Sequence, residues 1–225
     1  MGTAINIIIP IILYQFGPDW PASGEVDVIE YVNTAKDVRT ALHTSPNCSM
    51  ANVPSDSFSG SWTTFDNAPQ NNCDVKALGQ DSNAGCSLFG PKDSVGSAFN
   101  EETFPPGHVI VDGSKKSTKG GLYAYLWEEN KQIRTYFFPR NKIPIDLVER
   151  KPKPESWGLP YARFLINTTD CSSSHFKDHN IIINTALCGE WAGTYVQTVK
   201  IIPTSVYYTI EFIFYLFYFI SFMIL

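Results

Sequence analysis

Between Gly17 and Gly193 no stretch shows the apolar recurrence at three and four residues that an amphipathic helix needs. Fifteen glycines and fifteen prolines instead break the 225 residues into short pieces. Proline fixes φ and removes an amide donor, and glycine weakens the interior of a regular element. Such dense punctuation favours short strands joined by turns. β-prone runs at 109–111, 122–127, 133–138 and 181–183 lie between these signals, so the expected fold class is all-β. Hydrophobic residues make up 44% of the chain and charged residues 17%, enough apolar side chains for a packed core. Lys and Arg number 17 against 22 Asp and Glu, so the basic footprint of a nucleic-acid binder is absent.

The five cysteines, Cys48, Cys73, Cys86, Cys171 and Cys188, form no C-x-x-C pair and no zinc-finger spacing with the four histidines. Structural disulfides in an oxidising compartment fit better than a metal or redox site, with one thiol left over. Asn47-Cys48-Ser49 and Asn167-Thr168-Thr169 match the glycosylation pattern and add slightly to that reading. No cofactor or metal ion is expected.

The chain divides into an apolar N-terminal strand or remnant at 1–16, a main domain at 17–200 and an apolar tail at 201–225. The run from Ile5 to Leu13 lacks a preceding Lys or Arg and a small-residue cleavage site. It therefore reads as a buried strand and not as a signal peptide. Glu211 is the only charge in 206–225, and that stretch is long enough to span a bilayer as a helix. A membrane anchor and a non-native extension are the leading readings of it. A core strand pair and a lipid-anchor signal are the others.

The informative segment is Trp20-Pro21-Ala22-Ser23-Gly24-Glu25-Val26-Asp27-Val28-Ile29-Glu30. Period-two alternation puts Glu25 and Asp27 on one face and Val26 and Val28 on the other. Continued unbroken, it would turn Glu30 into the core, at a high desolvation cost. A β-bulge near Val28-Ile29 returns Glu30 to the face of the other acids. Three acids on one face repel, and repulsion with burial raises at least one pKa. That is the requirement of glycoside hydrolysis, in which one carboxylate attacks and another donates a proton. Retention needs the two carboxyls ~5–5.5 Å apart. The Glu25 and Glu30 backbones lie roughly 13–17 Å apart in an extended strand, so the side chains must lean together. The bland alternative is a solvated acidic strand. Trp20-Pro21 and Gly24 weigh against it, because they set a turn that brings a ring beside the first acid.

This segment resembles the catalytic signature of glycoside hydrolase family 16, in its fungal-type laminarinase branch of endo-1,3(4)-β-glucanases. Similar blocks follow in order: Ala41-Leu42-His43-Thr44-Ser45, Asn83-Ala84-Gly85-Cys86, Gly96-Ser97-Ala98-Phe99-Asn100, Tyr136-Phe137-Phe138-Pro139-Arg140, Ser156-Trp157-Gly158, Ser174-His175-Phe176 and Cys188-Gly189-Glu190-Trp191-Ala192-Gly193. The resemblance implies a jelly-roll β-sandwich whose concave sheet holds the cleft. It implies a retaining endo-β-glucanase acting on β-1,3 and mixed 1,3/1,4 glucans by double displacement. Glu25 is then the nucleophile, Glu30 the acid/base and Asp27 the residue that tunes the nucleophile. His43 sits near the acid/base, Trp20 and Trp157 stack on sugar, and His175 is structural. It also implies a Cys171–Cys188 disulfide, a β-glucan partner, and an extracellular or cell-wall location, with membrane contact through residues 206–225 as an addition. Two departures stand out. The segment before the motif is much shorter than in the family, so the sandwich is expected to be incomplete and its activity in doubt. Tyr31 stands where Gly is usual, and either narrows the cleft or stacks. Alternatives to hydrolysis are a β-glucan-binding protein without turnover and a cell-wall glucan transglycosylase.

Overall fold

The computed structural model describes residues 11–32, 35, 37–92, 94, 121–139, 142–185 and 220–224. In chain order the strands are β1 (Ile11–Phe16), β2 (Glu25–Tyr31), β3 (Asp37–His43), β4 (Ser61–Trp62), β5 (Thr64–Phe65), β6 (Ala68–Pro69), β7 (Cys86–Lys92), β8 (Gly121–Glu128) and β9 (Gln132–Pro139). A single helical turn, α1 (Ile145–Val148), precedes β10 (Ala162–Leu165), β11 (Asn180–Thr185) and β12 (Ile220–Ile224). The runs at 122–127, 133–138 and 181–183 thus form strands, while 109–111 lies outside the described residues.

Six strands form one antiparallel sheet in the order β11-β1-β2-β3-β7-β4. Four form a second in the order β10-β9-β8-β12, and β5 pairs with β6. Alternation makes one face of each large sheet apolar. Val26, Val28, Ile29, Val38, Leu42 and Leu88 from the first pack against Tyr123, Tyr125, Ile133 and Phe164 from the second. Each such side chain contributes ~1.5–3 kcal/mol on burial. Gln15 crosses the core and donates from Nε2 to Tyr125 Oη at 2.6 Å. Tyr31 packs against this inner cluster, so it does not narrow the outer face. A second cluster, Leu122, Ala124, Tyr136, Leu147 and Trp157, covers the far side of the four-stranded sheet.

Ile183 and Ile181 pair in register with Leu13 and Gln15, and so share their inward face. They are nonetheless 57% and 56% exposed. Among the described residues the four-stranded sheet does not cover β11.

The disulfide expectation needs correcting. Cys171 bonds Cys48, not Cys188, because an antiparallel bridge brings those two backbones to 4.0 Å between Cα atoms. Cys73 bonds Cys86, and Cys188 lies outside the described residues. The Cys48–Cys171 link spans 123 residues and joins the loop after β3 to the loop after β10. A link of that span restricts the unfolded chain by roughly 4–5 kcal/mol in the chain-entropy model.

Of the apolar stretch 206–225, read from sequence as a candidate membrane anchor, the structure describes only residues 220–224. Residues 220–224 form a strand that pairs in parallel with β8, so their backbone groups join a sheet ladder. Among the described residues no helix is long and apolar enough to cross a membrane. Residues 201–219 lie outside the described set.

Candidate active site

The site is built on the outer face of β2 and the turn before it. Gly24 has φ of 72°, and a Cβ there would stand 2.3 Å from the His175 carbonyl oxygen. Only glycine fits that turn without strain. The turn closes through Ser23 N donating to Asp19 O and Gly24 N donating to Pro21 O. It places Trp20 so that its indole Nε1 donates to Glu25 Oε2 at 2.7 Å.

The bulge lies where alternation demands it. Against β1, Leu13 pairs with Ile29 but Tyr14 pairs with Asp27, leaving Val28 over. Against β3, Asp27 faces Ala41 and Glu30 faces Arg39, so two residues of β2 oppose Thr40 alone. Val28 and Ile29 are both 2% exposed, in the core. A bulge disrupts the ladder and strands a carbonyl, and a buried carbonyl needs a donor. Thr40 Oγ1 supplies it, donating to Val28 O at 2.9 Å. Tyr161 Oη lies 2.7 Å from Thr40 Oγ1 and also donates to Val28 O at 3.3 Å. A buried tyrosine next to the second sheet thus braces the kink that turns Glu30 outwards.

Glu25, Asp27 and Glu30 share this outer face, with Asp27 and Glu30 buried and Glu25 half-buried. His43 Nε2 lies 2.9 Å from Asp27 Oδ2, and Arg39 Nε donates to Glu30 Oε2 at 3.1 Å. Gly85, with φ of 60°, backs the imidazole: a Cβ there would stand 2.9 Å from His43 Nδ1. Tyr14 lies across from Asp27, and the charges of Glu25 and Asp27, after burial, hold its phenol above the usual range.

Burial pushes Glu25 up to about 7, helped by the charge of Asp27 and opposed by His43 and the Trp20 N–H. Burial pushes Asp27 up to about 7 against the pull of Arg39. Glu30 is raised by burial and then by Asp27, with Arg39 and His43 opposing. Burial lowers His43, so the Asp27–His43 contact is not a full ion pair near neutrality. Three acids this close do not all ionise together. With Glu25 and Asp27 both raised to about 7 and Glu30 raised as well, this face can hold a carboxylate and a carboxylic acid together near neutral pH, the pairing that acid-assisted nucleophilic displacement uses.

Five of the six residues singled out from sequence come together here: Glu25, Asp27, Glu30, Trp20 and His43. Trp20 is 43% exposed beside Glu25. Trp157 is a correction. It is 8% exposed, packs edge-on against Tyr136 and Phe138, and donates from Nε1 to Asp146 Oδ2 at 2.8 Å. Those rings cover the far side of the other sheet, so Trp157 does not line the carboxylate face. Arg39 and Tyr14 were missed. Cross-strand register is what finds them, because the bulge sets Glu30 opposite Arg39 and Asp27 opposite Tyr14.

The sequence profile of the XgeA-like catalytic GH16 domain matches residues 12–211. The chain belongs to glycoside hydrolase family 16. An endo-1,3(4)-β-glucanase of Arthroderma benhamiae is 39% identical over 176 residues, 77% of this chain and 33% of that protein. The endo-1,3(4)-β-glucanase xgeA of Emericella nidulans is 31% identical over 181 residues, 80% of this chain and 24% of that protein. Among solved structures, laminarinase 16A of Phanerochaete chrysosporium superposes with a TM-score of 0.66 at 34% identity, covering 84% of this chain and 56% of that one. That structure holds β-glucans in both donor and acceptor sites. A family 16 elongating β-1,3-glucosyltransferase superposes with a TM-score of 0.63 at 32% identity, covering 83% of this chain and 52% of that one. The fold is the family's jelly-roll β-sandwich. The chain spans a third or less of the length of these curated relatives and about half of the solved chains.

Proposed function

We propose that this chain acts as a retaining endo-β-glucanase on β-1,3 and mixed 1,3/1,4 glucans. The observation that carries the reading is a bulged strand with three raised-pKa carboxylates on one face. Glu25 attacks the anomeric carbon as Glu30 gives its proton to the departing glycosidic oxygen, forming a glycosyl ester on Glu25. Glu30 then takes a proton from water, the water oxygen bonds the anomeric carbon, and the ester breaks. Asp27, hydrogen-bonded to His43, tunes the charge of Glu25, and Trp20 both orients Glu25 and offers its ring to a sugar face. The relatives named for this activity support the assignment. Two disulfides among the described residues fit an extracellular or cell-wall setting.

Reducing-end release from laminarin is the test. Glu25→Gln should abolish it, and Glu30→Gln should lower it by ~10²–10⁴-fold while sparing aryl glycosides whose leaving group needs no proton. Full activity in either variant would remove the assignment. Binding to insoluble glucan with no product from the unaltered chain would favour a binding protein. A second reading has its own support in the structural likeness to an elongating glucosyltransferase. If a sugar hydroxyl and not water intercepts the glycosyl ester, products longer than the donor accumulate.

A further inference from the structure

Among the described residues, Arg39 is a cation on the carboxylate face that the mechanism above does not use. Arg39 stands directly across the bulge from Glu30, and its Nε holds Glu30 Oε2 at 3.1 Å. The two side chains are only 24% and 11% exposed, so solvent screens the pair weakly. We propose that Arg39 is a positioning residue for Glu30: it holds Oε2, so that Oε1 presents the proton, and its charge keeps Glu30 ionised once that proton has left. The proposal rests on the retaining reading for its place in the reaction.

The groups around Glu30 explain why the cation matters at one stage more than the other. Asp27 and Glu25 lie on its own strand. From β3 come Arg39 and His43. β1 places Ile12 opposite Glu30 and Tyr14 opposite Asp27. Phe89 of β7 lies beyond Arg39. In the resting site burial and the negative charge of Asp27 oppose Arg39 and favour a protonated Glu30. In the first step the glycosidic C–O bond breaks, the Glu25 oxygen bonds the anomeric carbon, and the Glu30 proton goes to the leaving oxygen. Glu25 loses its charge as an ester, and Glu30 gains one. Arg39 stays paired with the new charge through this change, so Glu30 stays a carboxylate, ready to take the proton of water. Burial and Asp27 drive Glu30 towards the acid form in the resting site, and Arg39 is its strongest opponent.

The experiment follows Glu30 directly in the full chain. With carboxyl-¹³C glutamate, the Glu30 resonance is assigned by its loss in Glu30→Gln and titrated in the unaltered chain, Arg39→Gln and Arg39→Lys. The midpoint should rise by about one pH unit or more in Arg39→Gln, as expected when an opposite charge ~4–6 Å away is lost, and partway in Arg39→Lys. The alkaline limb of kcat/KM on β-1,3-glucan oligosaccharides should move the same way. Arg39→Met, similar in volume, makes the same test if Arg39→Gln does not fold. A midpoint within about 0.3 unit of the unaltered chain in a folded variant overturns the proposal, since a purely structural arginine would alter Tm alone. A moved midpoint in a chain that releases no product upholds the Arg39 coupling and removes the hydrolase reading instead.

Discussion

Asp27→Asn should stabilise the protein while disabling it. Asp27 is 3% exposed, and burial moves its carboxyl from 3.8 to about 7. Between those pH values the unfolded chain has lost the Asp27 proton and the folded chain keeps it. Stability therefore falls as pH rises, by ~1.4 kcal/mol per unit, and levels off above about 7. Below 3.8 the contribution is fully present. Three units give a ceiling of roughly 4 kcal/mol, and local relaxation brings the expected range to roughly 2–4 kcal/mol. For a chain of this size ~1 kcal/mol moves Tm by roughly 2–4 °C, so the span is roughly 4–16 °C. Other groups titrate in the same window. Glu25, raised to about 7, adds to the fall. His43, lowered by burial, acts in reverse, because the unfolded imidazole takes up a proton as pH drops below its usual value. The difference between the two proteins separates Asp27 from these. Asparagine carries no charge at any pH, and its amide still bonds His43 Nε2. Thermal unfolding from pH 4 to 8 should show the variant gaining on the unaltered chain as pH rises. Parallel curves, within about 1 °C over that range, would refute the reasoning. A gain in stability paired with lost turnover is the expected mark of a site built against its own fold.

Thr40→Val removes the hydroxyl that satisfies the Val28 carbonyl while keeping side-chain volume. Tyr161 Oη, 3.3 Å away, then remains as a donor to that carbonyl, so the change should cost ~0.5–1.5 kcal/mol in denaturant unfolding, and kcat should fall with KM little changed, because Glu30 loses part of its orientation. Trp20→Phe keeps a ring and deletes the N–H on Glu25 Oε2. That hydrogen bond favours the ionised form, so its loss raises Glu25 further, and the acidic limb of kcat/KM should shift to higher pH.

The bulge was legible because the sequence conflicts with itself: strict alternation would bury Glu30 among valines, and one extra residue resolves it. The turn at Gly24 was legible for a similar local reason. Arg39 and Tyr14 were not, because what makes them neighbours is register with a bulged strand, and register is a property of two strands. Trp157 failed for a different reason. A tryptophan in a loop carries no period, so nothing local distinguishes a ring facing a sugar from one filling the outer side of a sheet. In the structure its N–H is spent on Asp146, and its ring on Tyr136 and Phe138. The cysteine pairing failed likewise. Cys48 and Cys171 lie 123 residues apart, and only the antiparallel bridge between their loops makes them partners.

The two faces of β2 do opposite thermodynamic work, and the bulge is where they meet. On the inner face Val26, Val28 and Ile29 are buried, and the Val28 carbonyl at the bulge is met by Thr40 and Tyr161. On the outer face three acids are raised above their ordinary range, each a departure that disfavours folding once the pH ionises the unfolded chain. A strand without the inserted residue would lose the acid/base from the outer face and gain a buried charge on the inner one. A strand with the insertion but without Thr40 and Tyr161 would keep the acid outside and leave its direction loose. The position of Glu30 therefore depends on a hydroxyl pair on the opposite side of its own sheet. Substitutions at Thr40 or Tyr161, neither of which lies on the carboxylate face, should affect turnover as strongly as many on that face do.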